Sequence, residues 1–244
     1  MSGVRRIAMW SGPRNLSTAM MRSFSSRSDC AVSDEPFYAA YLAATGLDHP
    51  MREEVLASQP QDPEAVAAQM LGPVPGGKKV WYQKHMSHHM IEGFPLDWMD
   101  EVTNVFLLRA PERVLASYAQ KRESVTLADI GFEGQARLFD RVAERTGRAP
   151  VVVDSDDVRR NPEGTLRALC GAIGIEWDRA MLSWPKGPHE ADGVWGAHWY
   201  NAVYQSTGFS PPDEIGALPE SLAEIAEEAR PFYERMKRHK LVAE

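Results

Sequence analysis

The residues best suited to chemistry lie in residues 11–18, which read SGPRNLST. This run follows the apolar residues 7–10 and precedes a helix-forming sequence, so it predicts a strand, a tight turn and a helix start. The first N–H groups of a helix lack intrahelical partners, and the helix dipole adds partial positive charge there. Arg14 adds a full charge, and Ser17 and Thr18 add hydroxyl donors. The run therefore predicts a cradle for a phosphate-like anion.

The same run differs from the phosphate-binding loop of ATP- and GTP-hydrolysing enzymes. That loop has the pattern GxxxxGK[ST], whose lysine contacts the β- and γ-phosphates. From Gly12 this chain reads GPRNLST, without the second glycine and without the lysine. Dedicated ATP or GTP chemistry is therefore disfavoured. The alternative interpretation is a strand–turn–helix corner in which Ser17 bonds only to its own backbone.

A second candidate anion site follows the apolar stretch VTNVFLL at residues 102–108. Arg109 comes directly after this stretch, and Pro111 is suited to begin a helix. Arg113 and Ser117 are four residues apart and therefore share a face of that helix. An arginine fork beside a hydroxyl suits a second phosphate. Alternatively, Arg109 forms a structural ion pair and Ser117 lies on a solvated face.

Short apolar stretches alternating with helical patterns must position these groups. The predicted strands are residues 4–10, 30–33, 79–83, 102–108 and 150–154. The predicted helices are residues 16–26, 38–44, 63–71, 110–121, 131–146 and 162–173, with an amphipathic C-terminal helix after residue 218. This alternation predicts an α/β fold, a three-layer P-loop-like parallel sheet flanked by helices. Ligands bind such sheets beyond the carboxyl ends of the strands, where residues 11–18, Arg109 and Asp154 all lie.

Length and composition fit one soluble domain over residues 1–244. Within it, residues 46–77 form a predicted surface excursion or lid, and residues 184–209 a tryptophan-rich loop segment. The net charge of −7 disfavours nucleic acid and anionic membranes as partners, and no apolar run reaches the ~20 residues of a membrane helix. Two cysteines and the absence of a signal-peptide pattern predict a cytoplasmic protein.

Together, residues 11–18 and 105–118 resemble the sulfotransferases that use 3′-phosphoadenosine-5′-phosphosulfate (PAPS), which have a P-loop-like fold. Residues 13–18 match that family's P-[KR]-S-G-[TS]-[TS] loop except at Asn15 and Leu16. The resemblance implies that the 5′-phosphosulfate is held by Gly12, Pro13, Arg14, Asn15, Leu16, Ser17 and Thr18. It also implies that Arg109 and Ser117 hold the 3′-phosphate, and that Lys186 belongs to a late cofactor-binding element.

The resemblance implies a base that removes the acceptor proton, and two places could supply it. Glu35 lies in a DEPF sequence similar to the E-P element of carbohydrate-type members, although an acid at a helix start is the alternative. His85 lies in a QKHMSHH sequence, shifted by one residue from the K-x-H element of cytosolic members. Lys84 and Arg14 would contact sulfonate or leaving-group oxygens. A zinc site in this histidine cluster is disfavoured, because neither a nearby cysteine nor an HExxH pattern accompanies it.

The sequence therefore predicts a sulfotransferase that moves a sulfuryl group from PAPS to a hydroxyl, or an amine, of a small acceptor without a metal. The alternatives are a small-molecule kinase on a P-loop fold and a catalytically silent nucleotide-binding module. Trp195, Trp199 and Tyr200 either stack on a ligand or pack a loop onto the core. Nothing in the sequence indicates a particular acceptor or oligomeric state.

Overall fold

A computed structural model describes residues 3–118 and 125–243 of the chain. In these residues a five-stranded sheet has the order β2-β3-β1-β4-β5, and every neighbouring pair is parallel. The strands are β1 (Arg5–Ser11), β2 (Cys30–Asp34), β3 (Val80–Met86), β4 (Thr103–Leu108) and β5 (Val151–Asp154). The predicted parallel α/β sheet is confirmed.

Helices connect the strands and cover both faces of the sheet. They are α1 (Ser17–Ser25), α2 (Tyr38–Thr45), α3 (Arg52–Ser58), α4 (Pro63–Leu71), α5 (Pro111–Tyr118), α6 (Leu127–Ile130), α7 (Phe132–Thr146), α8 (Ser155–Arg160), α9 (Pro162–Ile173), α10 (Gly196–Trp199), α11 (Asn201–Tyr204) and α12 (Glu220–Lys237). Short 3-10 helices occur at Pro75–Gly77, Ser87–His89, Asp97–Glu101 and Arg179–Leu182. No helix among the described residues is long and apolar enough to cross a membrane.

Strand β1 shows why the sheet needs a helical layer on each face. Successive side chains of a strand point to opposite faces, and all four apolar residues from Ile7 to Trp10 are fully buried. Ile7 and Met9 pack in a cluster with residues of α1 and α9. Ala8 and Trp10 pack in a second cluster with residues of α4, α7 and α12. This arrangement confirms the predicted three layers and the C-terminal helix.

One element boundary differs from the prediction in a way that matters for the site. Strand β3 continues to Met86, three residues beyond the predicted end at residue 83, because it pairs with β1 along its whole length. The structure describes α5 as far as Tyr118, and the predicted extension to residue 121 lies outside the described residues.

The predicted excursion at residues 46–77 contains α3, which the sequence did not indicate, and α4, which it did. Helix α4 buries Val66, Ala67 and Met70 in the core, and Gln83 of β3 donates a hydrogen bond of 2.9 Å to the Met70 carbonyl. Helix α4 is therefore attached to the sheet. Residues 46–77 are all described, and of these only His49 lines the cavity at the carboxyl edge of the sheet.

Candidate active site

A cavity of about 530 Å³ opens at the carboxyl edge of the sheet. Its lining includes the loop between β1 and α1, Glu35 after β2, Lys84 of β3 and Arg109 after β4. Side chains from α5 and from the segment around Tyr200 complete its walls. The groups that follow four neighbouring parallel strands therefore meet in one place.

The loop between β1 and α1 approaches its neighbours closely and ends in an open helix start. A Cβ on Gly12 would lie 2.6 Å from the carbonyl oxygen of Ile130, so a larger residue is excluded there. Arg14 and Leu16 adopt left-handed backbone conformations, with φ of 61° and 72°. Each such conformation costs about 1 kcal/mol of conformational energy. The first backbone bond of α1 joins the N–H of Met20 to the carbonyl of Leu16. Among the described residues no side chain caps this helix start, so its first N–H groups remain available to an anion.

Asn15 holds this loop together from inside. Its side chain is only 1% exposed. In the amide orientation that matches donors with acceptors, its oxygen accepts from the N–H of Gly12 and its nitrogen donates to the carbonyl of Pro13, both at 3.3 Å. Ser17 and Thr18 follow in the first turn of α1 and line the cavity. The loop thus has an internally satisfied side chain on one side and hydroxyl groups on the other.

Two arginines and a serine form what we call the arginine end of the cavity: Arg14, Arg109 and Ser117. Nε of Arg14 donates to Oγ of Ser117 at 2.9 Å, and Nη1 of Arg109 donates to the carbonyl of Arg14 at 2.8 Å. Nε of Arg109 is buried without a hydrogen-bond partner in the described part of the chain. Neither arginine lies within ion-pair distance of a described carboxylate, and burial lowers the pKa of both. Among the described residues, the two guanidinium groups therefore lack the anion that normally accompanies a partly buried positive charge.

Two further arginines line the cavity, but each has a carboxylate partner. Arg113 contacts Asp156 at 2.7 Å, and Arg159 contacts Asp213 at 3.0 Å. Burial is the largest cause of the lowered pKa of Arg109, and the positive charges of Arg159 and Arg113 lower that pKa further. This concentration of positive charge favours a multiply charged anion over a neutral ligand.

Another part of the cavity is lined by Glu35, Lys84 and Tyr200, which together with the buried Asp34 form what we call the lysine end. Nζ of Lys84 is buried and donates to Oδ1 of Asp34 at 2.7 Å, Oε1 of Glu35 at 2.5 Å and the hydroxyl of Tyr200 at 2.8 Å. The Tyr200 hydroxyl donates in turn to Asp34 at 2.8 Å and accepts from Nε1 of Trp195 at 2.9 Å. All three donors of the ammonium group are thereby satisfied.

Electrostatics at the lysine end keep Lys84 charged and make Glu35 basic. Burial opposes the charge of Lys84, but the adjacent carboxylates of Asp34 and Glu35 raise its pKa. Burial raises the pKa of Glu35, Lys84 opposes this rise, and the charge of Asp34 adds to it. Glu35 also has a φ of 44°, and its N–H donates to the Lys84 carbonyl at 2.9 Å. The carboxylate is therefore held in place beside a fixed positive charge, with a raised affinity for a proton.

Comparison with known proteins identifies the family. The sulfotransferase domain family matches residues 5–240. This chain is a sulfotransferase family member. The match confirms the family indicated by residues 11–18 and 105–118.

Two Arabidopsis thaliana relatives, named branched-chain-amino-acid aminotransferase-like proteins 1 and 2, are 37% and 35% identical to the chain over 234 residues. That stretch is 96% of this chain but only 42% and 41% of the relatives, so the chain spans less than half their length. The solved sulfotransferase from Alicyclobacillus acidocaldarius has a TM-score of 0.56 and 14% identity, covering 98% of this chain and 97% of that one. At this identity the likeness is one of fold.

His85, which the sequence offered as a base, lies apart from the two other histidines of the same stretch in this sulfotransferase fold. His85 alternates with Lys84 along β3 and therefore points to the opposite face of the sheet. It stacks on Trp10 with a centroid distance of 4.6 Å, and burial lowers its pKa to about 3. The structure does not bring His85 to the cavity, whereas His88 and His89 do line it.

The late segment at residues 184–209 divides between packing and lining. Lys186 is exposed and is absent from the residues that line the cavity, so its predicted contact with the donor stays a prediction. Trp195 is 1% exposed and packs edge-on against Tyr38 at 5.1 Å. Trp199 and Tyr200 line the cavity. The packing interpretation is therefore confirmed for Trp195, and the stacking of Trp199 or Tyr200 on a ligand stays a prediction.

Sequence reasoning missed Asp34, Arg159 and the hydrogen bonds of Tyr200. The position of Asp34 at the end of a strand, directly before Glu35, was a usable signal for a second carboxylate. No local pattern marks the 166-residue separation between Tyr200 and Asp34. Asp154, which the sequence placed with residues 11–18 and Arg109 at the ligand-binding edge, does not line the cavity and instead caps α8 by accepting from the N–H of Asp156 at 2.8 Å. Among the described residues no group of three or more histidine, cysteine, aspartate or glutamate side chains is placed to hold a metal ion.

Proposed function

We propose that this chain transfers a sulfuryl group from PAPS to the hydroxyl group of a small acceptor. The observation that carries the proposal is the pair of guanidinium groups at the arginine end, which have no carboxylate partner among the described residues. They share a cavity with the lysine end, where a fixed carboxylate has a raised affinity for a proton. One end suits a polyanion, and the other suits proton removal.

The arginine end fits the two phosphate positions of the donor. The open start of α1, together with Arg14, Ser17 and Thr18, would hold the 5′-phosphosulfate. Arg109 and Ser117 would hold the 3′-phosphate, which ATP lacks. The buried, unpartnered Nε of Arg109 supports this assignment, because a bound anion would supply its missing acceptor.

The lysine end would carry out the acceptor chemistry. The donor supplies an activated sulfuryl group when it is bound. Glu35 would accept the proton of the acceptor hydroxyl, and Lys84 would remain charged beside the sulfonate oxygens because Asp34 and Tyr200 hold it. Positioning and charge stabilisation dominate in-line displacements of this kind, so fixed side chains are the main contribution of the protein.

The aminotransferase-like names belong to relatives more than twice as long as the matched stretch. We infer that residues 5–240 correspond to a sulfotransferase-like part of those relatives. The match of the sulfotransferase family over this whole range supports that inference.

Calorimetric binding of 3′-phosphoadenosine-5′-phosphate (PAP) tests the donor assignment. The wild-type chain should bind PAP more tightly than 5′-AMP, which lacks the 3′-phosphate. Arg109→Ala should weaken PAP binding by about 10- to 100-fold, because it removes charged hydrogen bonds, and should affect 5′-AMP binding much less. Arg167→Ala is the matched control, since Arg167 lies on α9 and pairs with Glu163 at the surface.

Two results would overturn the donor assignment. One is PAP affinity that Arg109→Ala leaves unchanged. The other is binding of ATP with Mg²⁺ at least as tight as binding of PAP, which would favour a small-molecule kinase instead.

A further inference from the structure

His89 lies at the lysine end in an aromatic clamp. It ends the short 3-10 helix Ser87–His89 after β3, and it is 2% exposed. Its ring stacks on Tyr38 at 4.6 Å with an interplanar angle of 11°, and on Tyr41 at 4.8 Å with an angle of 24°. Both tyrosines belong to α2, so this helix fixes the plane of the imidazole ring.

The ring directs one nitrogen toward the carboxylate assigned as the base. Nε2 of His89 lies 4.0 Å from Oε2 of Glu35, which is too long for a direct hydrogen bond. The other carboxylate oxygen, Oε1, is already bonded to Lys84. An oxygen atom about 2.8 Å from both Nε2 and Oε2 would span this gap with an angle of roughly 90°. The two groups therefore converge on a position that one small polar atom can occupy, in the cavity that both residues line.

His89 is neutral and has one N–H group to offer. Burial lowers its pKa well below the ordinary value of 6.5, and the nearby His88, His49, Lys84 and His85 lower it further. Nδ1 has no hydrogen-bond partner in the described part of the chain, whereas Nε2 faces a carboxylate. A proton on Nε2 is favoured because a lone pair there would face the negative charge of Glu35.

A hydrogen-bond donor and an acceptor thus point to the same position, and a hydroxyl group satisfies both. Its oxygen accepts from Nε2–H through one lone pair, its O–H donates to Oε2 of Glu35, and a second lone pair remains for attack. A neutral amine has a single lone pair, so accepting from His89 would use the pair that the attack requires. Resting on the proposed function, we propose that His89 is a positioning residue that selects a hydroxyl acceptor over an amine.

The transfer step balances with this arrangement. The acceptor oxygen forms the new O–S bond, and its proton passes to Oε2 of Glu35. The bond between sulfur and the phosphate oxygen of the donor breaks, and its electron pair stays on that oxygen. His89 keeps its proton throughout, so it orients the nucleophile and does not act as a base.

Matched acceptors and two variants test this selection. We would measure PAP release from PAPS with 2,2,2-trifluoroethanol, with 2,2,2-trifluoroethylamine, which is uncharged at neutral pH, and with water as the only acceptor. His89→Phe keeps a stacking ring between the tyrosines but removes the N–H, whereas His89→Gln keeps an N–H of similar reach without the ring. The wild type should prefer the alcohol, and His89→Phe should lower kcat/KM for the alcohol by about tenfold, the effect of one lost hydrogen bond. The amine rate should change by less than about twofold, and His89→Gln should recover part of the alcohol rate.

The outcomes separate this inference from the proposed function. PAP affinity and the thermal midpoint of each variant show whether the fold and the donor site are intact. A wild type that binds no PAP and releases none from PAPS contradicts the proposed function itself. If the wild type binds PAP and releases it from PAPS, the proposed function stands and the role of His89 can be judged separately. That role is contradicted if His89→Phe changes neither the ratio of the alcohol rate to the amine rate nor the rate with water. The role of His89 is also contradicted if the wild type transfers the sulfuryl group to the amine faster than to the alcohol.

Discussion

The two ends of the cavity use charge in opposite ways. At the arginine end, Arg14 and Arg109 bond to a hydroxyl and a carbonyl, and they contact no described carboxylate. At the lysine end, the buried ammonium group of Lys84 donates hydrogen bonds to Asp34, Glu35 and Tyr200. On the proposed function, the arginine end keeps its charge for the donor and has no counterion among the described residues, whereas the charge of Lys84 is neutralised within the protein and positions Glu35.

This difference has an energetic consequence. A partly exposed guanidinium keeps some contact with water, so removing it costs little folding energy. A buried ammonium between two carboxylates is different, because its removal leaves two negative charges without compensation. Substitutions at the two ends should therefore separate ligand binding from folding.

Lys84→Met should have the largest effect of the substitutions at the two ends. It leaves Asp34 and Glu35 buried side by side, so we expect the free energy of unfolding to fall by about 3 kcal/mol. Glu35 would then hold its proton at neutral pH, and sulfuryl transfer should fall by about a thousandfold or more. Denaturant unfolding and PAP release from PAPS measure the two effects.

Arg14→Met is the matched substitution at the arginine end. It should weaken PAP binding by about tenfold or more while changing the free energy of unfolding by less than about 1 kcal/mol. The comparison fails if Arg14→Met destabilises the fold as much as Lys84→Met does, or if Lys84→Met weakens PAP binding more than Arg14→Met does.

Glu35→Gln should reduce turnover with little other change. Glutamine has nearly the same shape and its side-chain oxygen still accepts from Lys84, so PAP affinity should stay within about twofold. The loss of the base should lower kcat by about a thousandfold. Because burial raises the pKa of Glu35, wild-type activity should fall as the pH decreases through that raised pKa, and the residual activity of the variant should lack this acidic limb.

The control for this prediction is Glu163→Gln, which changes an exposed glutamate on α9 that pairs with Arg167. Its rate and pH profile should match the wild type. If Glu35→Gln and the wild type show the same measurable turnover, another group carries out the proton transfer. If neither shows turnover, the chain is a catalytically silent module.

Much of the architecture could be predicted because it depends on local patterns. Apolar strands alternating with helices require a parallel sheet, and parallel strands bring their carboxyl ends to one edge. Of the groups that the sequence placed at this edge, residues 13–18 and Arg109 line the cavity, whereas Asp154 caps α8. Glu35 and Lys84 join the first two groups there. Their meeting follows from topology and needs no knowledge of side-chain packing.

The face of the sheet to which the His85 side chain points depends on where β3 ends, and the sequence pattern placed that end three residues too early. With the strand ending at residue 83, His85 and Lys84 belong to a loop and both could face a ligand. With β3 continuing to Met86, the alternation of a strand places adjacent residues on opposite faces. The bonds of Tyr200 could not be predicted at all, since they depend on how residues 192–204 fold over the sheet. Long-range contacts of this kind leave no local periodicity.

His85→Phe sharpens the comparison by testing, through pH, whether His85 is as remote from both ends of the cavity as the direction of its side chain indicates. Burial lowers the pKa of His85 to about 3, from an ordinary value of 6.5. Between these values the unfolded chain binds a proton that the folded chain does not, so the free energy of unfolding falls as the pH decreases. From pH 7 to pH 5 this contribution should be about 2 kcal/mol. Phenylalanine removes it while keeping a ring against Trp10.

Denaturant unfolding of both proteins at pH 7 and pH 5 measures this contribution. The raised pKa of Glu35 acts in the opposite direction and the lowered pKa of His89 in the same direction, but both groups are present in each protein. The difference between the proteins therefore isolates His85, and the wild type should lose about 2 kcal/mol more than the variant. Equal losses would mean that His85 takes up a proton in the folded chain as readily as in the unfolded one. It would then have to reach solvent, and His85 would again compete with Glu35 as the base.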